Sequence, residues 1–474
     1  MAAFAHQDEA LAKMLGRENF ALLMAMRTGK TKVILDEFGT MELDGRVSDL
    51  LVVAPGGAYR TWVQAMEDHL SVDLRSRIDV HVWRSGKPAG RREFLASTDR
   101  PRALLMNVEA LSRPGEARQT AIQFLARGRN VVVIDESTVI KNNSKRTQFV
   151  LRQIRPLATY RRVLSGLATP RSPLDLYYQF AFLTEYILGF NSWHVFRSVI
   201  AHVKTEHFGG RSVQVVNTAL GDRGFRRSEV EAARRRIEPH SYRIEFRPKM
   251  PSTYTFRDVD LTPEQQAAYS DMRAMATHAL SATEHVTATV VIAQLIRMHQ
   301  ILLGHVRDES GAEHVLPENR TAALLELMED YAGKAIVWCS YDHDVRKVSK
   351  ALAEEYGPRS VARFWGGNTA TREDEEKKFV SEPECRFMVA TPSAGGRGRT
   401  WHVADLVVYY SNTDNLEHRD QSEQRAMGMT KSRQVDFVDM IVRGTVEEKI
   451  INSLRSKIDM ASIINGDNYK EWLV

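Results

Sequence analysis

Residues 20–31 read Phe-Ala-Leu-Leu-Met-Ala-Met-Arg-Thr-Gly-Lys-Thr, and Lys32-Val-Ile-Leu-Asp-Glu-Phe follows without a break. A short apolar run without two-residue alternation is the pattern of a strand covered on both faces. A buried strand is therefore predicted from Phe20 to Met26, then a phosphate loop, Arg27-Thr28-Gly29-Lys30-Thr31, opening a helix. Gly29 lets the backbone approach a phosphate, and Lys30 brings charge to the β- and γ-phosphates. Thr31 offers a hydroxyl to Mg2+, and the helix N-terminus adds its dipole. The full pattern G-x-x-x-x-G-K-[ST] asks for Gly where Met24 stands, so the position between strand and helix carries the assignment. The competing interpretation is an ordinary strand-to-helix turn with a solvated lysine.

Outward from this stretch the same rhythm recurs. Strand-like runs are predicted at Asp49 to Ala54, Ala103 to Val108, Asn130 to Ile134 and Arg162 to Leu164, with amphipathic stretches between them. A second series follows at Lys334 to Cys339, Ser360 to Phe364, Arg386 to Ala390, Asp405 to Tyr410 and Gln434 to Ile441. Strand and helix in alternation imply right-handed crossovers and parallel sheets. Between the two series, from Phe180 to Asn319, the pattern turns mostly helical and Arg-rich, and Glu245 to Thr255 reads as an extended linker.

At the end of the fourth run stands a carboxylate pair, Asn130-Val-Val-Val-Ile-Asp135-Glu136-Ser137. Acidic side chains at the C-terminal end of a parallel strand face the crevice where ligands sit. Asp135 would hold Mg2+, directly or through water, and Glu136 would orient or deprotonate an attacking water. A plain helix N-cap is the alternative.

These blocks resemble the Swi/Snf-type ATPases of helicase superfamily two, especially short phage and bacterial members. Asp135-Glu-Ser-Thr-Val-Ile-Lys-Asn142 is similar to the family's motif II. Phe4-Ala-His-Gln7 resembles the adenine-reading element, in which Gln7 would bond the base edge. Val52-Val-Ala-Pro55 with Trp62 resembles motif Ia, and Leu104 to Leu111 the next DNA-facing block. Leu164-Ser-Gly166 with Ser172 to Tyr177 resembles motif III, and Leu261-Thr-Pro-Glu-Gln265 and Leu295 to Gln300 the start of the second lobe. Taken alone, Trp62 reads as a core anchor.

The resemblance implies an α/β fold of two tandem RecA-like lobes, parallel sheets with helices on both faces, and helical insertions between them. The expected domains are 1–180 (ATP-binding lobe), 181–245 (helical insertion), 246–318 (linker and helical start of lobe two), 319–460 (second lobe) and 461–474 (tail).

The second series has no phosphate loop of its own, so it is expected to close over ATP held by the first lobe and add positive charge. Thr391-Pro-Ser-Ala-Gly395-Gly396-Arg397-Gly398 and Gln421-Ser-Glu-Gln-Arg425 resemble motifs V and VI. By that resemblance Gly396 reaches towards nucleotide or DNA phosphate, and Gln421 and Arg425 face the γ-phosphate. The catalytic set is then Lys30, Asp135, Glu136 and Arg425. Two departures stand out: Gly428 occupies the family's second arginine position, and Leu167-Ala168 replaces Thr-Pro. Arg425, Lys431, Arg433 or Arg397 are the candidates to compensate.

A nucleic-acid strand in this architecture is gripped by its phosphates rather than read by its bases. Arg113, Lys141, Asn368, Arg397 and Arg399 are the candidate contacts; the Arg-rich segments around Arg226 and Arg234 read first as solvated faces. Phe364-Trp365-Gly366-Gly367 reads as a core anchor rather than a base-stacking element.

The expectation is an ATP- and Mg2+-dependent translocase on DNA, duplex favoured. Alternatives are a nucleotide-gated DNA-binding module with weakened hydrolysis that acts through a partner, and an RNA helicase. Composition is that of an average soluble globular protein and leaves function to the motifs. Lys plus Arg number 65 against 60 Asp plus Glu, a net +5 that is too small for a tail-driven nucleic-acid binder. Two cysteines, Cys339 and Cys385, exclude a disulfide scaffold or a Cys-built zinc site. No apolar run approaches a membrane span, and the first residues lack a signal-peptide pattern. A cytoplasmic monomer, in a prokaryotic cell or a phage-infected host, with a protein partner for targeting, is the resulting expectation.

Overall fold

The computed structural model describes residues 3–55, 58–86, 90–97, 99–208, 211–220, 224–244, 252–282, 288–307, 312–395, 401–427, 431 and 433–465. The chain divides into two compact units. The first comprises Met1–Val203, Val216–Arg247 and Met460–Asn468, and the second comprises Lys204–Val215, Pro248–Asp459 and Tyr469–Val474.

In the first unit the strands are β1 (Asn19–Met24), β2 (Asp49–Ala54), β3 (Asp79–Val82), β4 (Arg102–Asn107), β5 (Asn130–Ile134) and β6 (Tyr160–Leu164). A hairpin, β7 (Val203–Phe208) and β8 (Arg211–Val216), nearly all of it assigned to the second unit, comes in the chain before β9 (Ser241–Ile244) of the first. Among the described residues the main sheet has seven strands in the order β3-β4-β2-β5-β6-β1-β9, all parallel. Strands buried on both faces explain the continuous apolar runs. Phe20, Leu22 and Met24 enter one core with Val33, Ile34 and Phe38 of helix Lys30–Leu43 and Trp62 of helix Ala58–His69. Ala21 and Leu23 enter the other, with Phe124 of helix Glu116–Leu125 and Phe180 of helix Leu176–Leu183.

Two buried ion pairs interrupt the apolar strands. Arg102, at the start of β4, pairs with Asp49 at the start of β2 through Nη2–Oδ2 at 2.8 Å and Nε–Oδ1 at 3.0 Å. Arg162 of β6 takes Glu37 in the same two-pronged way and also donates to the carbonyls of Arg17 and Glu18. Both pairs are fully buried.

The second unit contains β10 (Thr253–Asp258), a short hairpin β11 (His305–Arg307) and β12 (Glu313–Val315), and β13 (Lys334–Trp338). It continues with β14 (Val361–Phe364), β15 (Phe387–Ala390), β16 (Ala404–Tyr409) and β17 (Asp436–Ile441). Its main sheet runs β10-β17-β16-β13-β15-β14, again parallel throughout. Val345, Val348 and Leu352 of helix Asp342–Tyr356 pack on one face. Trp401 stacks on Trp338, with ring centroids 5.5 Å apart.

Two RecA-like α/β lobes are thus present, and the sequence boundaries shift in four places. The segment 181–245, expected as a helical insertion, ends in β9, a strand of the first sheet, and includes the β7–β8 hairpin. The expected linker over 245–255 runs into β10, an edge strand paired with β17. The helical start of the second lobe carries the β11–β12 hairpin. The last described helix, Val446–Asn465, passes the expected boundary at 460. No described helix is long and apolar enough to cross a membrane.

Candidate functional site

β1 stops at Met24, and the chain turns through Ala25 to Thr28 before helix Lys30–Leu43 begins. The turn needs two left-handed residues, Arg27 (φ 65°) and Gly29 (φ 89°). A positive φ is strained for arginine and free for glycine. At Gly29 space is decisive as well, because a Cβ there would lie 2.0 Å from Gln7 Nε2. Lys30 Nζ donates to the carbonyls of Met24 (2.9 Å) and Ala25 (3.3 Å), so the ammonium sits inside the loop it was expected to serve. Burial pushes the Arg27 guanidinium down to about 10. Thr31 lies in the first helical turn.

Two residues of the expected nucleotide set are committed elsewhere. Gln7 is only 4% exposed, and both ends of its amide are engaged. Oε1 accepts the Phe4 N–H at 3.0 Å, and Nε2 donates to the Thr28 carbonyl at 3.0 Å. His6 Nε2 reaches the same carbonyl at 2.8 Å. Gln7 therefore props the phosphate loop from below in this structure instead of presenting a free amide to a base. The Thr28 hydroxyl likewise donates back to the Ala25 carbonyl at 2.7 Å, shaping the loop rather than opening towards a ligand.

The carboxylate pair leaves the same edge of the sheet. β6 alone separates β1 from β5, and β6 pairs in parallel with both. Asp135 prolongs β5, its N–H donating to the Val53 carbonyl at 2.9 Å. Both of its carboxylate oxygens are oriented: Oδ1 accepts the Glu136 N–H at 2.9 Å, and Oδ2 accepts the indole N–H of Trp62 at 2.9 Å. Glu136 is left-handed, with φ 46° and ψ 60°. Among the described residues three non-glycines have positive φ, and two of them, Arg27 and Glu136, fall on these two loops. Such strain persists where the surroundings over-determine it, typically at working sites. Asp135 and Thr31 are oxygen donors of the class a hard divalent cation takes.

The loop after β6 completes this edge. Ser165 N–H donates to the Leu22 carbonyl, and a Cβ on Gly166 would approach Met26 N to 3.3 Å, so the loop lies directly on the phosphate loop. Ser137 Oγ, next to the acidic pair, donates to Gln179 Oε1 at 2.6 Å. Gln179 Nε2 donates to the Ala168 carbonyl at 2.7 Å.

In the second unit Gln421 and Arg425 share one face of helix Leu416–Ala426, four residues apart. Both are buried, Arg425 to 1% exposure, and Gln421 Nε2 donates to Glu417 Oε1 at 3.5 Å. Lys431 and Arg433, two of the four candidates to compensate for the arginine missing at 428, both pair with Asp405, at 2.9 and 2.8 Å. Lys431 also donates to the carbonyls of Ala404 and Ala426. Gly396, Arg397, Arg399 and Gly428 lie outside the described residues.

Among the expected nucleic-acid contacts, Arg113 is exposed after the turn Val108–Ser112. Lys141 is half-buried and acts electrostatically on Asp175, whose carboxyl burial pushes up and Lys141 pulls back down. Asn368 is tied into its own turn: Oδ1 accepts the Trp365 N–H at 3.0 Å, and Nδ2 donates to the Arg363 carbonyl at 2.7 Å. Trp365 packs against the core of the second unit. Arg226 closes the C-terminus of helix Trp193–Ile200, donating to the carbonyls of Ser198, Val199 and Ala201 at 2.6 to 2.9 Å. That is a helix cap rather than a solvated cation. Sequence reasoning missed the bond from Trp62 to Asp135 and the Ser137–Gln179 contact, because spacing along the chain gives no signal for either.

Residues 319–428 match the helicase conserved C-terminal domain. The TATA-binding protein-associated factor mot1 of Aspergillus fumigatus is 23% identical over 380 residues, covering 72% of this chain and 20% of that protein. The chromatin-remodeling ATPase INO80 of Cryptococcus neoformans is 29% identical over 158 residues, 33% of this chain and 8% of the relative. The chain thus spans about a fifth of the length of the first of these relatives and less of the second. Among solved structures, the Sulfolobus solfataricus SWI2/SNF2 ATPase core in complex with dsDNA is similar at 19% identity and a TM-score of 0.42, covering 100% of this chain and 95% of that one.

Proposed function

We propose that the chain is a Swi/Snf-type ATPase of helicase superfamily two and that it couples ATP hydrolysis to movement along duplex DNA. The observation that carries the proposal is the shared sheet edge: Lys30 after β1, Asp135 and Glu136 after β5, and the Ser165–Ala168 loop after β6 between them. Bound ATP would supply the transferable γ-phosphoryl group, and Mg2+ the positive charge that neutralises its oxygens. Lys30 exchanges the carbonyls of Met24 and Ala25 for phosphate oxygens. Asp135 and Thr31 would hold the cation, and Glu136 would orient the attacking water and take its proton on the carboxylate as the bond from the γ-phosphorus to the β–γ bridging oxygen breaks and ADP leaves. Arg113 and Lys141 touch the DNA backbone as point charges, which position a strand without reading it.

Turnover of ATP measured with duplex DNA, single-stranded DNA, RNA and no nucleic acid tests this. Stimulation by duplex DNA that Lys30→Ala abolishes is the expected result. Turnover that survives Lys30→Ala places the chemistry elsewhere.

One observation favours a second reading, a nucleotide-gated DNA-binding module with weakened hydrolysis. Lys431 is held by Asp405 and by the carbonyls of Ala404 and Ala426, so it does not stand ready to replace an arginine at 428. Gly428→Arg separates the two: a large gain in turnover supports weakened hydrolysis, and no gain supports a complete site.

A further inference from the structure

Helix Leu176–Leu183 reads Leu-Tyr-Tyr-Gln-Phe-Ala-Phe-Leu, and its one amide, Gln179, is 1% exposed in the middle of an apolar helix. A buried amide is costly unless its hydrogen bonds are made. Here they are: Oε1 accepts the Ser137 hydroxyl at 2.6 Å, and Nε2 donates to the carbonyls of Ala168 and Asp175, each at 2.7 Å. Ser137 is fully buried and follows Glu136 directly. Ala168 lies in the loop that begins at Ser165 and rests through Gly166 on Met26 of the phosphate loop. One side chain therefore ties the acidic loop to the loop after β6, and through it to the phosphate loop. An apolar residue of similar size would fill the same space, so packing alone does not account for the amide.

We propose that Gln179 is a positioning residue for hydrolysis: it holds Glu136 in its left-handed conformation through Ser137 and makes the acidic loop and the Ser165–Ala168 loop move as one. The inference rests on the proposed ATPase function and deepens it. Gln179 touches neither nucleotide nor water in this account. Its effect on catalysis is to fix where the Glu136 carboxylate stands, a placement on which turnover depends more steeply than nucleotide binding does.

The test compares Ser137→Ala, Gln179→Leu and the double variant by steady-state ATP turnover, and by backbone hydrogen exchange at 136–141 and 165–168 in the nucleotide-free full chain. Each single variant is expected to lower kcat about tenfold with the ATP KM within about twofold, and the double variant to be no worse than either single one. Exchange is expected to rise at both loops in each variant. Unchanged kcat in Ser137→Ala, multiplying effects in the double variant, or exchange that rises at only one of the two loops overturns the inference. If Gln179→Leu does not fold, Ser137→Ala decides by itself. A wild-type chain without any turnover defeats the function proposed above, while coupled exchange at the two loops still reports on the tie.

Discussion

The indole Nε1 of Trp62 donates to Asp135 Oδ2 at 2.9 Å, joining a buried helix residue to a strand-end carboxylate 73 residues away. The same Trp62 fills the core beneath β1 and β2, at 1% exposure. Core anchor and carboxylate support are thus one residue: the packed ring fixes where the N–H points, and the N–H fixes how the carboxylate is turned. Trp62→Phe keeps most of the packing and removes the donor. Partners of metal-holding carboxylates are worth about 10–100-fold in metal affinity or activity. Turnover is therefore expected to fall about tenfold, with a higher Mg2+ concentration needed for half-maximal rate. A variant with an unchanged Mg2+ dependence contradicts this role for Trp62.

Gln7 distinguishes base reading from loop support. Its amide is spent on Phe4 and Thr28, so Gln7→Ala is expected to loosen the phosphate loop and raise KM for ATP and GTP alike. The check is the ratio of the two KM values. If the variant weakens ATP and spares GTP, Gln7 reads adenine after all.

Breaking a buried ion pair strands a charge. Glu37→Gln leaves Arg162 in the first unit without its counter-charge, a change that typically costs about 3–5 kcal/mol. Urea unfolding should show the loss. A variant within about 0.5 kcal/mol of wild type would mean that the carbonyls of Arg17, Glu18 and Arg161 satisfy the guanidinium unaided.

The second unit holds a pair whose pH effects oppose each other. Asp344 Oδ1 and His305 Nδ1 lie 3.5 Å apart, both buried. Burial pushes the Asp344 carboxyl up to about 7 and the His305 imidazole down to about 3. With its pKa raised, Asp344 contributes stability below the unfolded carboxylate range that is lost as pH rises towards 7. With its pKa lowered, His305 contributes stability above the unfolded imidazole value of about 6.5 that is lost as pH falls. Between about pH 4 and 6.5 the two slopes cancel, since the proton histidine carries in the unfolded chain is carried by aspartic acid in the fold. Asp344→Asn should unmask the histidine slope, so that stability falls with pH below 6.5 more steeply than in wild type. Parallel stability–pH curves for the two proteins contradict the cancellation.

The sequence predicted ten strands at nearly their observed positions, because strands packed on both faces must be apolar throughout. Those it missed share the opposite property. β3 (Asp-Val-His-Val) and β9 (Ser-Tyr-Arg-Ile) are edge strands of the first sheet, half exposed, with no apolar run to detect. β10 is an edge strand too, and its polar alternation read as linker. The placement of Lys30, Asp135 and Glu136 just beyond strand ends was legible because it follows from local order. Commitments such as Asn368 to its own turn, Arg226 to a helix end and Lys431 to Asp405 were not: each is an isolated polar side chain in sequence, and only the fold supplies its partner.

The most direct test of the ATPase account is steady-state ATP turnover of the wild-type chain and of Glu136→Gln, each with and without duplex DNA. The account predicts turnover that duplex DNA stimulates, and a loss of at least about a hundredfold in Glu136→Gln with ATP binding retained. Equal turnover in the two proteins, or none in the wild type under any condition, contradicts it.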